Sequence, residues 1–279
     1  MLLSRTYHPS EALAPYIRRF YVFEAELPEA MVIEDFLLSE TAFVRCLLKG
    51  DWKGEVAPGE WSQPGRTLFF GANALPFRVR VQGSFAVTGF AIRPSGWKAL
   101  FEQSHRDFAD DLLPLQDLWG DLADHMQAGV ESANDDQGKL AAMEAAITHR
   151  LKQIGSYKTD SQMAKFEVFA RTDSAIRVED AAREVGLSVR QLERRCQHTF
   201  GLTPKAILRR SRFLDMATAM RGFSSPSDSD LAALRYFDQS HVAREFRRFT
   251  NMTPTEFTNA VTPLQTAGLK LREEARFED

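Results

Sequence analysis

The side chains best suited to chemistry in this sequence occur in two segments that lie 50 residues apart along the chain. Arg190, Glu193 and Arg194 belong to the first segment, and Gln239 and Arg244 belong to the second. A guanidinium donates two parallel hydrogen bonds to a planar pair of acceptors such as guanine O6 and N7, an amide suits adenine, and a carboxylate accepts from cytosine N4. These residue types therefore indicate recognition by hydrogen bonding to base edges.

The two segments share their signals for helix start and helix end. Ser188 and Asp238 precede the two helical stretches, and Gly201 and Asn251 follow them. Ser and Asp accept a hydrogen bond from a free backbone N–H at a helix start, whereas Gly and Asn tolerate the left-handed conformation that ends a helix. A Thr-Pro pair follows each copy and is typical of the start of another helix. The repeat therefore predicts two capped helices, each followed by a further helix.

The first copy has the order helix, tight turn, helix. Residues Val178 to Val185 are typical of a short helix, and Gly186-Leu187-Ser188 of a three-residue turn. From Val189 to Phe200 the apolar residues recur at three- and four-residue spacing, with polar residues on the opposite side. Gln191 can complete a capping box with Ser188. The order predicts a helix-turn-helix unit.

The second copy is less regular than the first. Its first helix begins in Leu231 to Leu234, Tyr236-Phe237 form the turn without a glycine, and Asp238 precedes the helix from Gln239 to Phe249. After that helix, Glu256 completes a capping box with Thr253. The second copy therefore predicts the same unit with a different turn.

These motifs resemble the AraC-type (AraC/XylS) family of transcriptional regulators. The matching residues are Ala181-Ala182-Arg183-Glu184-Val185-Gly186-Leu187-Ser188, Asp238-Gln239-Ser240-His241 and Phe246-Arg247-Arg248-Phe249-Thr250-Asn251-Met252-Thr253-Pro254. The resemblance covers roughly residues 161 to 262 and implies two helix-turn-helix units joined by a long helix, Pro204 to Arg221. It also implies that two recognition helices enter successive major-groove segments on one side of double-stranded DNA.

By position, the resemblance implies which residues contact DNA. They are Arg190, Gln191, Glu193 and Arg194 on the first recognition helix, and Gln239, Ser240, His241 and Arg244 on the second. The alternative is an ordinary solvated helix face on which Arg190 and Arg194 pair with Glu193 or with their own neighbours. Cys196 stands where the family has a large apolar residue, and we interpret it as part of the core.

The charge is distributed unevenly along the chain. Residues 1–160 have 16 Lys and Arg against 22 Asp and Glu, residues 161–262 have 16 against 12, and residues 263–279 have 3 against 4. The net charge of −3 for the whole chain argues weakly against binding to nucleic acid. However, binding depends on the local electrostatic field, and the basic segment, residues 161–262, is the one that carries the repeated motif. We therefore expect DNA affinity that falls with salt.

The N-terminal half has a pattern of short strands followed by helices. The predicted strands are Tyr16 to Leu27, Met31 to Leu38, Thr41 to Leu48, Thr67 to Gly71, Phe77 to Val81 and Phe85 to Ile92, and the predicted helices include Leu112 to Gln127 and Lys139 to Gln153. AraC-type regulators often have a cupin-like barrel in this position, and Leu115 to Gly120 is similar to a stretch found in some of them. The expected fold class is α+β, a cupin-like β-barrel with following helices and then an all-α domain.

The predicted domains follow from these patterns. Residues 1–155 form a cupin-like sensor or interaction domain with helices at its end, residues 161–262 form the double helix-turn-helix domain, and residues 263–279 form a polar tail. The polar segment Gly155 to Asp160 is the predicted linker.

Enzyme chemistry finds little support in the N-terminal half. Metal-using cupins need closely spaced histidines on adjoining strands, whereas His8, His105, His125 and His149 lie outside the predicted strands and are interpreted as surface or partly packed residues. We expect no enzyme activity, no metal and no cofactor. Two groups of residues could still form a ligand site. The arginines Arg78, Arg80 and Arg93 could bind an anion, although arginines on a solvated strand face are an equally simple explanation. The aromatic residues Trp52, Trp61, Phe69 and Phe70 could line a pocket, although aromatic residues also simply fill a core.

The remaining features bear on compartment and partners. Cys46 and Cys196 lie far apart and offer neither a disulfide framework nor zinc spacing, and no apolar run reaches the roughly 18 residues that span a bilayer. We expect a cytoplasmic protein whose partner is double-stranded DNA, with a small-molecule effector, RNA polymerase and a second copy of the chain as further partners that this interpretation allows. A cupin-type enzyme with a helical appendage and a protein-binding scaffold are the alternatives.

Overall fold

The structure is a computed structural model that describes residues 2–155, 158–224, 239–274 and 276. Gln239 and His241 are described as helical residues, without their side chains. The predicted start of the second helix-turn-helix copy, Leu231 to Leu234, its turn Tyr236-Phe237 and its cap Asp238 lie outside the described residues.

The N-terminal part forms one antiparallel sheet in the part of the chain that the structure describes. Its strands are β1 (Leu2–Tyr7), β2 (Ile17–Ala25), β3 (Val32–Leu37), β4 (Phe43–Ala57), β5 (Glu60–Ser62), β6 (Thr67–Phe70), β7 (Phe77–Ile92) and β8 (Leu112–Pro114). The hydrogen-bonded order is β1-β2-β7-β4-β6-β8, with β3 also on β7 and β5 also on β4. Since β1 and β8 end this order, the sheet is open where a closed cupin-like barrel was expected.

Long central strands account for the main difference from the predicted strands. The two strands predicted at Phe77 to Val81 and Phe85 to Ile92 are one strand, β7, and β4 runs beside most of its length. β4 continues past its predicted end because a β-bulge at Gly50 lets the strand stay paired with β7. Gly50 has a φ of 102°, which glycine adopts readily and which strains other residues. A Cβ at this position would lie 2.7 Å from the Ser84 carbonyl oxygen, so the two long strands approach closely here.

Helices follow the sheet and cover it. They are α1 (Trp97–Leu100), α2 (Gln116–Trp119), α3 (Asp121–Ser132) and α4 (Asp136–Ile154), with two short 3₁₀ helices at Pro94–Gly96 and His105–Phe108. The helix predicted from Leu112 is wrong at its start, because Leu112 to Pro114 pair with β6 instead. Trp97, Phe101 and Trp119 pack against the buried strand residues Phe69 and Phe90. This core unites the sheet with the helices that follow it.

The C-terminal part is helical. Its described helices are α5 (Ser161–Thr172), α6 (Val178–Glu184), α7 (Val189–Phe200), α8 (Pro204–Met220), α9 (Gln239–Thr250), α10 (Pro254–Asn259) and α11 (Pro263–Glu274). Gly201 and Asn251 have the predicted left-handed φ values of 76° and 59° at the ends of α7 and α9. Thr203 and Thr253 cap α8 and α10 as predicted. The fold class is confirmed, an antiparallel sheet with following helices and then an all-α part.

The segment predicted to be a polar tail is a packed helix. α11 buries Leu264, Leu269 and Arg272. Its first turn is fixed from the sheet, because the Asp35 carboxylate of β3 accepts hydrogen bonds from the backbone N–H of Leu264 at 2.7 Å and of Gln265 at 3.3 Å. A sequence pattern does not reveal such a cap, since the capping residue lies more than 200 positions away.

Candidate nucleic-acid interface

The first recognition helix, α7, starts with the predicted capping box. The Gln191 side-chain oxygen accepts from the Ser188 backbone N–H at 2.9 Å, and the Ser188 hydroxyl accepts from the Gln191 backbone N–H at 3.3 Å. This geometry fixes the first turn of the helix. It also engages the carbonyl end of the Gln191 amide, so a contact of Gln191 with a base would come from its amide NH₂ or replace the cap.

The polar face of α7 is open to solvent. Arg190, Glu193 and Arg194 are all exposed, and within the described residues neither arginine forms an ion pair with Glu193 or with another carboxylate. The alternative of a self-paired helix face is therefore not what the structure shows. Both guanidiniums remain available to an external acceptor.

The opposite face of α7 is fully packed. Leu192, Cys196 and Phe200 are buried against α5, α6 and α8. Burial raises the pKa of the Cys196 thiol well above its usual value, so this cysteine is core material, as predicted. The packed face fixes which side chains of α7 point outward.

The second recognition helix, α9, repeats this division. Ser240 and Arg244 are exposed, and Arg244 has no ion pair among the described residues. Phe246 and Phe249 are buried against Phe213 of α8, with ring centroids 5.1 and 4.7 Å away. Two of the four residues predicted to contact DNA on this helix, Ser240 and Arg244, are therefore exposed. The side chains of the other two, Gln239 and His241, lie outside the part of the chain that the structure describes.

Helix α8 joins the two units. Its Ile207 and Leu208 belong to the core of the first unit, and its Phe213 and Leu214 belong to the core of the second. The buried Glu245 carboxylate of α9 also binds the Arg209 guanidinium of α8, with Nε and Oε2 2.7 Å apart. Each recognition helix is therefore fixed against the same connecting helix.

His105 joins the sheet unit to the far end of α7. Its Nε2 accepts the Ala72 backbone N–H at 3.0 Å, which makes Nδ1 the protonated nitrogen that donates to the Thr199 carbonyl oxygen at 3.0 Å. The ring stacks on Trp97 with centroids 4.0 Å apart. Burial lowers the pKa of His105 to about 4, so the ring is neutral at physiological pH. The histidine predicted to be on the surface or partly packed is in fact fully buried.

A second junction connects the sheet unit to the second helix-turn-helix unit. Phe36 and Leu38 pack into the cluster that contains Phe246 and Phe249. Both junctions use the buried faces of the C-terminal helices. The exposed arginines lie on other faces, so the N-terminal unit does not cover Arg190, Arg194 or Arg244.

Charged side chains reinforce the second junction. The Glu40 carboxylate lies 2.9 Å from Arg272 Nε and 3.5 Å from Arg18 Nη1, and the Arg210 guanidinium donates to the Asn73 carbonyl oxygen at 2.9 Å. Burial alone would raise the pKa of Glu40, but Arg272, Arg18 and Arg210 together lower it to about 2. The carboxylate is therefore ionised and holds the units together through charge.

The N-terminal arginines proposed for an anion do not converge. Arg78 pairs with Glu55 at 3.1 Å and Arg80 pairs with Glu34, and both lie over Trp61 on an exposed surface. Arg93 lies elsewhere, 3.7 Å from Glu167. These pairs explain the three arginines without a ligand. The sequence interpretation missed Arg45, a lone charged residue within the apolar run of Phe43 to Leu48, which the structure places inside the sheet.

Two properties of the described residues bear on the other function classes. No group of three or more His, Cys, Asp or Glu side chains is placed to hold a metal ion in the part that the structure describes. No described helix is long and apolar enough to span a membrane.

Comparison with known proteins places both parts of the chain. Residues 181–260 match a family model described as a helix-turn-helix domain, and residues 5–114 match a family described as a domain of unknown function. No curated protein matches the chain in sequence.

Solved structures give distant similarities. ToxT from Vibrio cholerae, in a crystal structure with bound unsaturated fatty acid, is 14% identical, with 88% of this chain and 96% of that chain covered and a TM-score of 0.48. A 1.65 Å structure of ToxT from the same organism is 12% identical, with coverages of 92% and 98% and a TM-score of 0.48. The AraC-like transcriptional activator CuxR is 15% identical, with coverages of 77% and 86% and a TM-score of 0.27. Similarities this distant support no inference about the site or its ligand.

The family match falls on the segment where the caps, the turn and the exposed arginines lie. It contains both recognition helices, α7 and α9. By this match and by the repeated capped helices, residues 181–260 are a helix-turn-helix domain of the AraC type, as the sequence predicted.

Proposed function

We propose that this chain is a sequence-specific, double-stranded-DNA-binding transcriptional regulator that reads DNA with the exposed faces of α7 and α9. The observation that supports this most is that Arg190 and Arg194 are exposed and form no ion pair with any residue that the structure describes, on a helix whose other face is fully buried. Exposed arginines on an anchored helix would suit an external partner that offers paired acceptors.

Base reading would come from the outward side chains of the first two turns of each helix. Arg190, Arg194 and Arg244 would donate to guanine O6 and N7, and Glu193 would accept from cytosine N4 or hold a neighbouring arginine. Gln239, Ser240 and His241 start α9 and would read bases or fix the phosphate backbone, since free N–H groups at a helix N-terminus favour anions. The capping box of α7 and the buried faces of α7 and α9 would keep these groups in place before DNA arrives.

The N-terminal unit would sense a small molecule or a partner. It contacts the first recognition helix through His105 and the second unit through Phe36, Leu38 and Glu40. An effector changes DNA binding only if it binds two arrangements of these junctions with different affinity. Because both junctions are buried, a ligand that repositions the sheet edge would alter how α7 and α9 are held.

Substitution of the arginines tests the DNA-binding part of this proposal. A DNA site is first selected by the wild-type chain from random sequence, and its affinity is then measured for Arg194→Ala and Arg244→Ala at fixed salt. Each loss of a bidentate contact costs about 1–3 kcal/mol, which weakens binding roughly 5- to 150-fold.

Arg78→Ala is the matched control, because Arg78 is an exposed arginine of the sheet that pairs with Glu55. It should leave the affinity within about twofold. If both helix variants bind the selected site as tightly as the control does, and with the same sequence preference, the proposed interface is wrong. Affinity that does not depend on salt would point instead to a protein-binding scaffold.

A further inference from the structure

Helix α5 holds the turn between α6 and α7 through two side chains. The Gln162 amide NH₂ donates to the Val185 carbonyl oxygen at 2.8 Å, and the Lys165 ammonium donates to the Glu184 carbonyl oxygen at 2.5 Å. Both carbonyls lie at the end of α6, where a helix leaves its C=O groups without partners of its own. The end of α6 is therefore fixed from α5.

The carbonyl end of the Gln162 amide binds the recognition helix. It accepts a hydrogen bond from Arg195 Nη1 of α7. The same nitrogen lies 3.1 Å from Oδ1 and 3.3 Å from Oδ2 of Asp160, and Asp160 also caps α5 by accepting from the Met163 backbone N–H at 3.2 Å. Gln162 thus bridges the turn and α7, and the Asp160 carboxylate holds Arg195 against this bridge by a charge-assisted hydrogen bond.

These contacts begin where the chain leaves the sheet unit. The Asp160 backbone N–H donates to the Ser95 carbonyl oxygen at 2.9 Å, and Ser95 is buried in the 3₁₀ helix Pro94–Gly96. The backbone of Asp160 is thus fixed to the sheet unit while its side chain binds α7. The position of the Gln162 bridge therefore depends on the sheet unit as well as on α5.

The second unit has a link at the same position of the repeat. Glu245 lies 50 residues after Arg195, and each of them directly follows an arginine expected to contact bases. The Glu245 carboxylate binds the Arg209 guanidinium of α8, with Oε2 2.7 Å from Nε. α8 precedes the second unit in the chain as α5 precedes the first. Both recognition helices are therefore linked to the preceding helix at this position, with the charges exchanged.

We propose that Gln162 and Arg195 are positioning residues for DNA recognition, which fix the angle at which the first turns of α7 enter the major groove. The inference rests on the proposed function, since it concerns how the reading side chains are held. Gln162 uses both ends of its amide within the protein, and Arg195 binds α5, so neither residue reads bases itself. A bidentate contact needs its side chain held within about 0.5 Å of the productive position. An α7 without this bridge would stay folded and recognise its site less well.

Binding of the full chain to its selected DNA site tests this role with Gln162→Met, which removes both hydrogen bonds and leaves the charge unchanged. We expect affinity for the selected site to fall about tenfold. Affinity for random-sequence DNA should stay within about twofold, because the phosphate contacts are the same. Gln137→Met is the matched control, since Gln137 is an exposed glutamine at the second position of α4, as Gln162 is at the second position of α5. The control should bind like the wild type, and wild-type affinity of Gln162→Met for the selected site would overturn the proposal.

Combination with the arginine variants separates positioning of α7 from a general loss of stability. If Gln162 acts through α7, Gln162→Met should weaken binding by about threefold or less in an Arg194→Ala chain, because part of the contact that it positions is already lost. In an Arg244→Ala chain the full effect of about tenfold should remain, because Arg244 belongs to the other recognition helix. The same fold-change in both chains would contradict the positioning role.

Asp160→Asn gives a second test that does not depend on the folding of Gln162→Met. Asparagine can still cap α5, but it removes the charge that faces Arg195. The preference for the selected site over random-sequence DNA should therefore fall about threefold. An unchanged or increased preference would overturn the role of Arg195.

The arginine variants on the same DNA keep the two proposals apart. Weakened binding by Arg194→Ala and Arg244→Ala, together with wild-type binding by Gln162→Met, would refute the positioning role alone. Wild-type binding by the two arginine variants would refute the proposed interface itself.

Discussion

At the scale of single residues, the candidate functional side chains divide into those that a sequence pattern predicts and those that only the packing shows. Arg190, Arg194 and Arg244 stand on the polar sides of amphipathic helices, and their exposure follows from spacing alone. His105 and Arg45 could not be predicted in the same way. Their burial depends on which elements meet, and neither spacing nor local propensity encodes that contact.

The neutral state of His105 makes one junction sensitive to pH. Unfolded histidine titrates near 6.5, and burial lowers the pKa of His105 to about 4, so its contribution to stability is present above about pH 6.5 and is lost as pH falls toward 4. His105→Phe keeps the stacking on Trp97 but loses both hydrogen bonds. We expect it to lower the free energy of unfolding by about 1–3 kcal/mol at pH 7 and by less at pH 5.

Urea unfolding of both proteins at the two pH values measures this difference. The difference in the free energy of unfolding between the wild type and the variant should become smaller at pH 5, because only the wild type loses the contribution of the neutral ring. A gap that stays constant or widens would show that His105 does not carry the pH dependence.

At the scale of elements, the sequence predicted the C-terminal helices better than the sheet. The ends of α7 are fixed by Ser188, Gln191 and Gly201, which act within one or two turns, so local pattern is sufficient. β4 and β7 run on past their predicted ends because each hydrogen-bonds to the other, and that pairing is non-local. α11 was missed for the same reason, since its cap, Asp35, comes from a distant strand.

Substitution of Gly201 by alanine tests whether the end of α7 is held by the sheet unit as well as by its own C-cap. It has a φ of 76°, and a Cβ there would lie 3.2 Å from the His105 carbonyl oxygen. Gly155, at the end of α4, has a φ of 68° and nothing within 4 Å of an added Cβ. Gly155→Ala should therefore cost only the backbone strain, about 1 kcal/mol, and Gly201→Ala should cost about 1 kcal/mol more.

Thermal or urea unfolding of the two alanine variants measures this contrast. The matched φ values make Gly155→Ala the internal control for strain. Equal losses of stability would mean that the junction yields at Gly201 without cost, and that α7 is not tightly held by the His105 segment.

At the scale of the whole molecule, the connecting helix α8 packs against both recognition helices, and the sheet unit contacts the buried faces of the C-terminal helices. α8 shares its side chains between the two cores, and the Glu40 charge cluster links α8 and α11 to the sheet. The sequence predicted the repeat and the exposed polar faces of α7 and α9 but not these junctions. In this arrangement, a movement of the sheet unit at the junctions would be transmitted to both α7 and α9.

We propose that α7 and α9 read separate major-groove segments of one DNA site. Dimethyl sulfate protection of guanine N7 on a DNA site selected by the wild-type chain, with protein at saturation, tests it most directly. We predict two protected clusters about 10 base pairs apart, with Arg194→Ala losing protection in one cluster and Arg244→Ala losing it in the other. A single protected cluster, or the loss of the same cluster in both variants, would contradict the claim.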